Sequence, residues 1–260
     1  MSLGVAAPSV FAQRAFGIAR NFDNIVGIPI VLGGNLLTYV ENVQLPNNSI
    51  IFNLEQVEQG SSWFTPQYID LLKSYQVWDY SDRNIDNLKR FFGISGVKKC
   101  SIGYVPQMTR LSLADEPDID VLFYGSINER RQSILEGLKE KGLNVKILSG
   151  VYGQMRDDWI ARSKLVINIH YYSAQVLELV RLSYLLANKV CIVSETGLDK
   201  SLEIAFQEGI AFADYDNLVE TCVNLIKGDR SNREAIAQKG YNIFSSLNQS
   251  IELRELLNNL

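Results

Sequence analysis

The sequence predicts an α/β protein of two domains, each a parallel sheet flanked by helices, and three observations predict it. The chain has 260 residues, more than one ordinary domain holds and enough for two of roughly 100 to 150. From Asp118 onward, short β-branched runs alternate with helical periodicities, which is the pattern of crossover-connected parallel strands. Residues 164–195, KLVINIHYYSAQVLELVRLSYLLANKVCIVSE, spell one complete strand, loop, helix and strand. In that unit Leu177, Val180, Leu182, Leu185 and Leu186 recur at helical spacing between two β-branched runs.

In chain order, the first half predicts a helix over 9–21, strands at 28–32, 50–54, 76–80 and 101–105, and helices at 66–74 and 84–91. Ser81-Asp82 supplies the cap of the last of these helices. Residues 108–117 carry few apolar anchors and end in Asp115-Glu116-Pro117, so they read as a linker. The second half predicts strands at 121–124, 145–148, 165–169, 190–193 and 210–213, with helices in the gaps. The helix over 129–141 stops at Gly142, the expected C-terminal glycine. The tail from Glu234 reads as two helices separated near Gly240, the last with an apolar face of Ile251, Leu253, Leu256 and Leu257. The expected domains are 1–115, 116–245 and a C-terminal helix over 246–260 that packs back on the body, with a cleft between the two halves.

Composition narrows the function. With 47% hydrophobic and 21% charged residues the chain is an ordinary globular protein. Its net charge of −4, with basic residues scattered, offers no clustered face for nucleic acid. Apolar stretches around 25–37 and at 164–169 are too short or interrupted to span a membrane, and residues 1–20 lack the signature of a signal peptide, so a cytoplasmic location is expected. Cys100, Cys191 and Cys222 are odd in number and far apart, which fits small core residues better than disulfides or a zinc cluster. No GxxxxGK[ST] loop, GxGxxG fingerprint, HExxH or GxSxG is present, which argues against NTPase, dehydrogenase, zinc-protease and α/β-hydrolase chemistry. Of the two Asp-x-Asp triplets, Asp118-Ile119-Asp120 precedes its strand, and Asp214-Tyr215-Asp216 is well explained as capping the helix that follows, so a metal site is not expected.

Ligands of open α/β sheets sit at the carboxyl ends of the strands, which is where His170, the only histidine, and Glu178 stand. Each also has a plain structural reading: His170 as a hydrogen-bonded strand-end residue, Glu178 as a surface ion pair with Arg181. Arg130 and Arg131 oppose the helix dipole in a first turn unless an anion compensates them. Tyr171 and Tyr172 can pack or stack on a base. Glu55 stands just beyond a strand end.

The segments DVLFYGSINERR at 120–131, VINIH at 166–170, VLELVRLSYLLANKVCIVSE at 176–195 and FADYDNLVETCVNLI at 212–226, and more weakly residues 53–84, together carry a family likeness. They resemble the GT-B glycosyltransferases, in particular bacterial group 1 and spore-maturation-type members. It implies two Rossmann-like domains around a central cleft, with the N-terminal domain reduced. It also implies transfer of a sugar from a nucleotide-diphosphate donor to a hydroxyl acceptor, as in polysaccharide biosynthesis, with no metal or other cofactor. Many members carry Glu-x7-Glu; here His170 and Glu178 have that spacing, so the second position fits and the first departs, leaving the stereochemistry open. By the resemblance Glu178 holds the nucleotide ribose, the Gly125-Ser126 loop with Arg130 and Arg131 holds the diphosphate, and His170 meets the sugar or its phosphate. Tyr171 and Tyr172 are candidates for the base, and Glu55 is a candidate general base for the acceptor hydroxyl. The alternative is a noncatalytic nucleotide-sugar- or glycan-binding module descended from such an enzyme.

Overall fold

A computed structural model describes residues 3–5, 27–39 and 44–260. The helix expected over 9–21 lies outside the described residues. The chain divides into two units, Met1–Ser101 and Ile102–Leu260.

The first unit carries a parallel sheet of β1 (Leu3–Val5), β2 (Ile30–Leu32), β3 (Ile50–Asn53), β4 (Gln76–Asp79) and β5 (Lys98–Lys99), paired in chain order. From β2 to β5 each step moves the same way across the sheet, and right-handed crossovers put these connections on one face. A 3-10 helix (Gly34–Tyr39), α1 (Pro66–Ser74) and α2 (Asp82–Phe92) occupy those connections. Val31, Ile51 and Val77 point from alternate strand positions into one core with Leu37, Tyr68, Leu72 and Leu88. Both helices begin on side-chain caps, Thr65 accepting from Tyr68 N and Ser81 from Asn84 N. The strand expected at 101–105 is instead an extended segment of the second unit, touching Asn248 by one isolated bridge at Tyr104. Pairing with β4 ends at Lys99, and Gly103 is packed so closely on Leu247 and Gln249 that it follows the C-terminal segment instead.

The second unit carries β6 (Ile119–Tyr124), β7 (Val145–Leu148), β8 (Ser163–Asn168), β9 (Ile192–Glu195) and β10 (Ala211–Ala213), all parallel, in the order β10, β9, β8, β6, β7. From β6 the chain goes one way to β7 and then crosses to the other side of β6 to lay down β8. Helices α3 (Glu129–Glu140), α4 (Gly153–Ala161), α5 (Leu179–Ala187), α6 (Lys200–Phe206) and α7 (Leu218–Lys227) follow the successive strands. One core joins Val121, Phe123, Leu165, Ile167 and Val193 to Ile134, Leu135 and Leu138 of α3 and to Leu218 and Cys222 of α7. The alternate residues Leu122, Val166 and Ile192 are buried on the opposite face. Each such fully buried aliphatic side chain stabilises by about 1.5–3 kcal/mol. All three cysteines are buried and free, and burial pushes the Cys191 thiol up to about 12.

Two expectations are corrected in this unit. The break foreseen near Gly240 does not occur, because α8 runs unbroken over Arg230–Ser246 and α9 (Gln249–Asn258) starts after Leu247 and Asn248. Gly240 is there for contact, since a Cβ on it would lie 2.6 Å from Gly209 O and 2.9 Å from Leu186 Cδ2. The linker foreseen at 108–117 is fastened to the second unit. Asn188 Oδ1 accepts the N–H groups of Arg110 and Leu111 at 2.8 Å each, and Thr109 Oγ1 donates to Ala187 O. Polar anchoring of this kind leaves no hydrophobic pattern to read.

Candidate functional site

The strand order of the second unit reverses between β6 and β8, and in such sheets a crevice opens at the carboxyl ends of the two strands that flank the reversal. Those ends are Tyr124, followed by Gly125-Ser126, and Asn168, followed by Ile169-His170. The described strands of the first unit run in simple order and have no such point.

A buried polar network fills the crevice. Asn168 Nδ2 donates to Glu178 Oε2 at 2.7 Å and to Ser194 Oγ at 3.0 Å. Arg181 donates through Nη2 to Asn168 Oδ1 and through Nη1 to Tyr124 O at 3.0 Å, so one guanidinium ties the ends of β6 and β8 together. Glu178 stands immediately before α5, and its Oε1 is buried without a hydrogen bond, 3.7 Å from Arg131 Nη2 and 3.9 Å from Arg181 Nη2. Burial alone would raise its carboxyl; His170, Arg181 and Asn168 outweigh that and hold it at about 2. The expected surface pair of Glu178 with Arg181 is therefore part of a buried network. His170 Nδ1 lies 3.3 Å from Glu178 Oε2, yet neither ring nitrogen makes a hydrogen bond, and the side chain is 1% exposed. Gly197 packs against that ring: a Cβ there would come 2.8 Å from His170 Nε2 and 2.2 Å from Gln175 O.

The two arginines of the α3 first turn take separate roles. Arg131 is buried and bridges the strand-end loops, donating from Nε to Ile169 O at 2.8 Å and from Nη1 to Ser126 O at 2.9 Å. Desolvation, with Arg181 nearby, lowers its pKa to about 10. Arg130, expected to meet a ligand anion, has its terminal nitrogens committed to Glu195: Nη1 donates to Oε2 at 2.5 Å and Nη2 to Oε1. Its guanidinium also lies 4.0 Å from the Tyr215 ring centroid. The anion that offsets the helix dipole is thus internal, and only the position of Glu195 at the end of β9 hinted at it. Tyr171 and Tyr172 pack edge to face on each other at 5.0 Å, with the Arg131 guanidinium 5.1 Å from the Tyr171 ring.

Beside the network lies a cavity of about 320 Å³ whose wall includes Gly125, Ser126, Ser149, Tyr152, Arg156 and Arg181. Its aromatic lining comes from Tyr124, Tyr152 and Tyr184, not from Tyr171 and Tyr172. Gly125 has φ +141°, and a Cβ on it would lie 3.3 Å from Arg181 Nη1 and 3.5 Å from Arg131 Nη1, so two guanidiniums converge on bare backbone. Arg130, Arg131 and Arg181 against Glu178 and Glu195 leave an excess positive charge beside it. Arg181 and Arg156 were not expected on the cavity wall; Ser149-Gly150, which follow β7 as Gly125-Ser126 follow β6, carry the sequence signal for it.

Three carboxylates of the Asp-x-Asp triplets have side-chain partners. Asp118 pairs with Arg162, and Asp120 with Lys164 at 2.7 Å. Asp214 Oδ1 accepts from Thr196 Oγ1 at 2.6 Å and makes no capping bond, because a 3-10 turn over Tyr215–Asn217 intervenes before α7.

In the first unit, Glu55 follows β3. Asn35 Nδ2 donates to Glu55 Oε1 at 3.3 Å, while Asn35 Oδ1 is buried and unpaired. Burial pushes the Glu55 carboxyl up, against the opposing pull of Asn35. Nearby Asp79 is fully buried, which pushes its carboxyl up to about 7 against hydrogen bonds from Asn53, Ser81 and Asn84.

No family model matches the chain. Among curated proteins it is similar to an uncharacterized protein of Acanthamoeba polyphaga mimivirus, 30% identical over 192 residues that make up 69% of this chain and 59% of that protein. A second uncharacterized protein of the same virus is 28% identical over 74% of this chain and 26% of its own length. The chain thus spans less than two thirds of the curated relatives it matches, and their viral source lends no support to a bacterial origin. Among solved structures it is similar to TarM, with TM-score 0.63, 12% identity and coverage of 89% of this chain and 54% of TarM. It is similar to WaaG, a glycosyltransferase involved in lipopolysaccharide biosynthesis, with TM-score 0.59, 11% identity and coverage of 98% and 85%. It is also similar to HepE of Anabaena in complex with UDP and glucose, with TM-score 0.61, 11% identity and coverage of 95% and 80%. The fold is that of the GT-B glycosyltransferases. It consists of two Rossmann-like α/β units, as the sequence predicts. Among the described residues no helix is long and apolar enough to cross a membrane.

Proposed function

We propose that the chain is a glycosyltransferase that moves a sugar from a nucleotide-diphosphate donor to a hydroxyl acceptor without a metal ion. The observation that carries this reading is Glu178 Oε1, a buried carboxylate oxygen with no hydrogen bond, standing at a helix start where the strand order reverses. A carboxylate is acceptor-only and suits the hydroxyls of a ribose, which can complete the missing bond. The cavity beside it joins Gly125-Ser126 backbone to Arg181, with Arg131 behind, and this combination suits a diphosphate. Guanidiniums held there stabilise the negative charge that grows on the leaving nucleotide, where electrostatic catalysis is most effective. Arg130 acts in this scheme by holding the His170 loop. His170 is assigned to the sugar or its phosphate, and Glu55, whose carboxyl burial pushes up, serves as general base toward the acceptor hydroxyl. Tyr152 and Tyr184 on the cavity wall replace Tyr171 and Tyr172 as surfaces for the base.

One observation favours the noncatalytic reading, in which the nucleotide-sugar is held and not cleaved: the His170 ring, at the position where many members have a glutamate, is almost completely buried. Release of nucleoside diphosphate from UDP-, GDP- and dTDP-linked sugars, with and without added glycan, tests the choice. The enzyme reading expects release that Glu178→Ala abolishes. Binding without release would establish the module instead.

A further inference from the structure

We propose that Asp79 is a positioning residue for Glu55, acting through the side chains of Asn53 and Asn84. The inference rests on the reading of Glu55 as a base. Asn53 Nδ2 donates both to Asp79 Oδ2 at 2.6 Å and to Glu55 O at 2.9 Å. Asn84 Nδ2 does the same from the other side, to Asp79 Oδ1 at 3.1 Å and to Glu55 O at 3.1 Å. Two amides are therefore bracketed between one buried carboxylate and one backbone carbonyl.

The clamp extends along the loop. Asn53 Oδ1 accepts from Glu55 N at 3.4 Å, Asn84 Oδ1 from Val57 N at 2.9 Å, and Val57 O accepts from Asn87 Nδ2 at 2.9 Å. The N–H and C=O of both Glu55 and Val57 are thus met by asparagine side chains of β3 and α2. A strand-to-helix loop at a surface can give these groups to water at little cost. Here burying Asp79 among donors, at a cost in desolvation, fixes the backbone of one residue whose own side chain is pressed against Asn35. Such locking of a reactive group by a second layer of hydrogen bonds is what precise placement toward a substrate requires.

The test is an NMR titration of the Glu55 carboxyl in protein carrying 13C-labelled glutamate, its signal assigned by loss in Glu55→Gln, for the wild type, Asp79→Asn and Asn84→Ala. Asp79 and Tyr68 are titratable groups facing the same loop, and Asn84→Ala leaves both in place, so a change in that variant reports geometry and not a lost charge. In the wild type the midpoint is expected above the ordinary value of 4.5, and in both variants it falls toward that value. A role confined to fold stability would lower the melting temperature and leave the midpoint of the folded protein unmoved. An unchanged midpoint in folded Asn84→Ala overturns the proposal even if Asp79→Asn does not fold. Failure of Glu55 as a base shows separately, as undiminished transfer by Glu55→Gln.

Discussion

The Glu195 carboxylate accepts from both terminal nitrogens of Arg130 and, through Oε2, from the backbone N–H of His170 at 2.9 Å. Arg130 in turn donates to His170 O at 3.3 Å, so the ion pair grips the histidine backbone from both sides. Glu195→Ala would leave the half-buried Arg130 guanidinium and the buried His170 N–H without their acceptor, a loss of about 1–3 kcal/mol. Urea denaturation should show that loss. A cost below about 1 kcal/mol would mean the pair behaves as a surface contact.

Glu178 titrates at about 2 in the folded protein against an ordinary 4.5, because His170, Arg181 and Asn168 favour its charged form over the burial penalty. A depressed folded pKa stabilises at pH above the unfolded value and loses that contribution as pH falls toward the folded one. Stability should therefore decline between about pH 4.5 and pH 2, by an amount on the order of 3 kcal/mol attributable to this group. Glu178→Gln should flatten that part of the profile, measured by chemical denaturation at successive pH values.

Alanine is favoured over glycine inside an exposed helix by about 1 kcal/mol. Gly240 in the middle of α8 should reverse the sign. A Cβ would press on the Gly209 carbonyl and Leu186, so Gly240→Ala is expected to lower stability by about 1–3 kcal/mol. A raised melting temperature would show that the helix yields at this point.

Arg181→Ala removes the guanidinium shared by the cavity wall, Asn168 and Tyr124 O. Its loss should weaken nucleoside diphosphate binding by more than tenfold while binding of the corresponding nucleoside changes little. Calorimetry with UDP and uridine, or the matching pair for another base, separates the two effects.

The alternation of strands and helices was legible where strands such as β3 and β8 carry β-branched residues and helices such as α5 and α7 present an apolar stripe; α1 was predicted at the bounds it takes, Pro66–Ser74. Gly240 misled because glycine serves two ends in a helix, stopping it or admitting a neighbour, and sequence cannot tell these apart. Residues 108–117 misled because Asn188 anchors them from almost 80 positions away. At the site, Glu178 and the Gly125-Ser126 turn could be found from strand ends. The Arg130–Glu195 pair could not, because the two residues meet only through a strand order set by the whole unit.

Glu178 is proposed to hold the ribose of a nucleoside diphosphate. The most direct measurement is calorimetric titration of UDP, GDP, ADP and dTDP into the wild type and Glu178→Ala. The prediction is that one nucleotide binds the wild type and binds Glu178→Ala at least tenfold more weakly, about 1.4 kcal/mol. Equal affinity in the two proteins, or no binding of any nucleotide to the wild type, would contradict it.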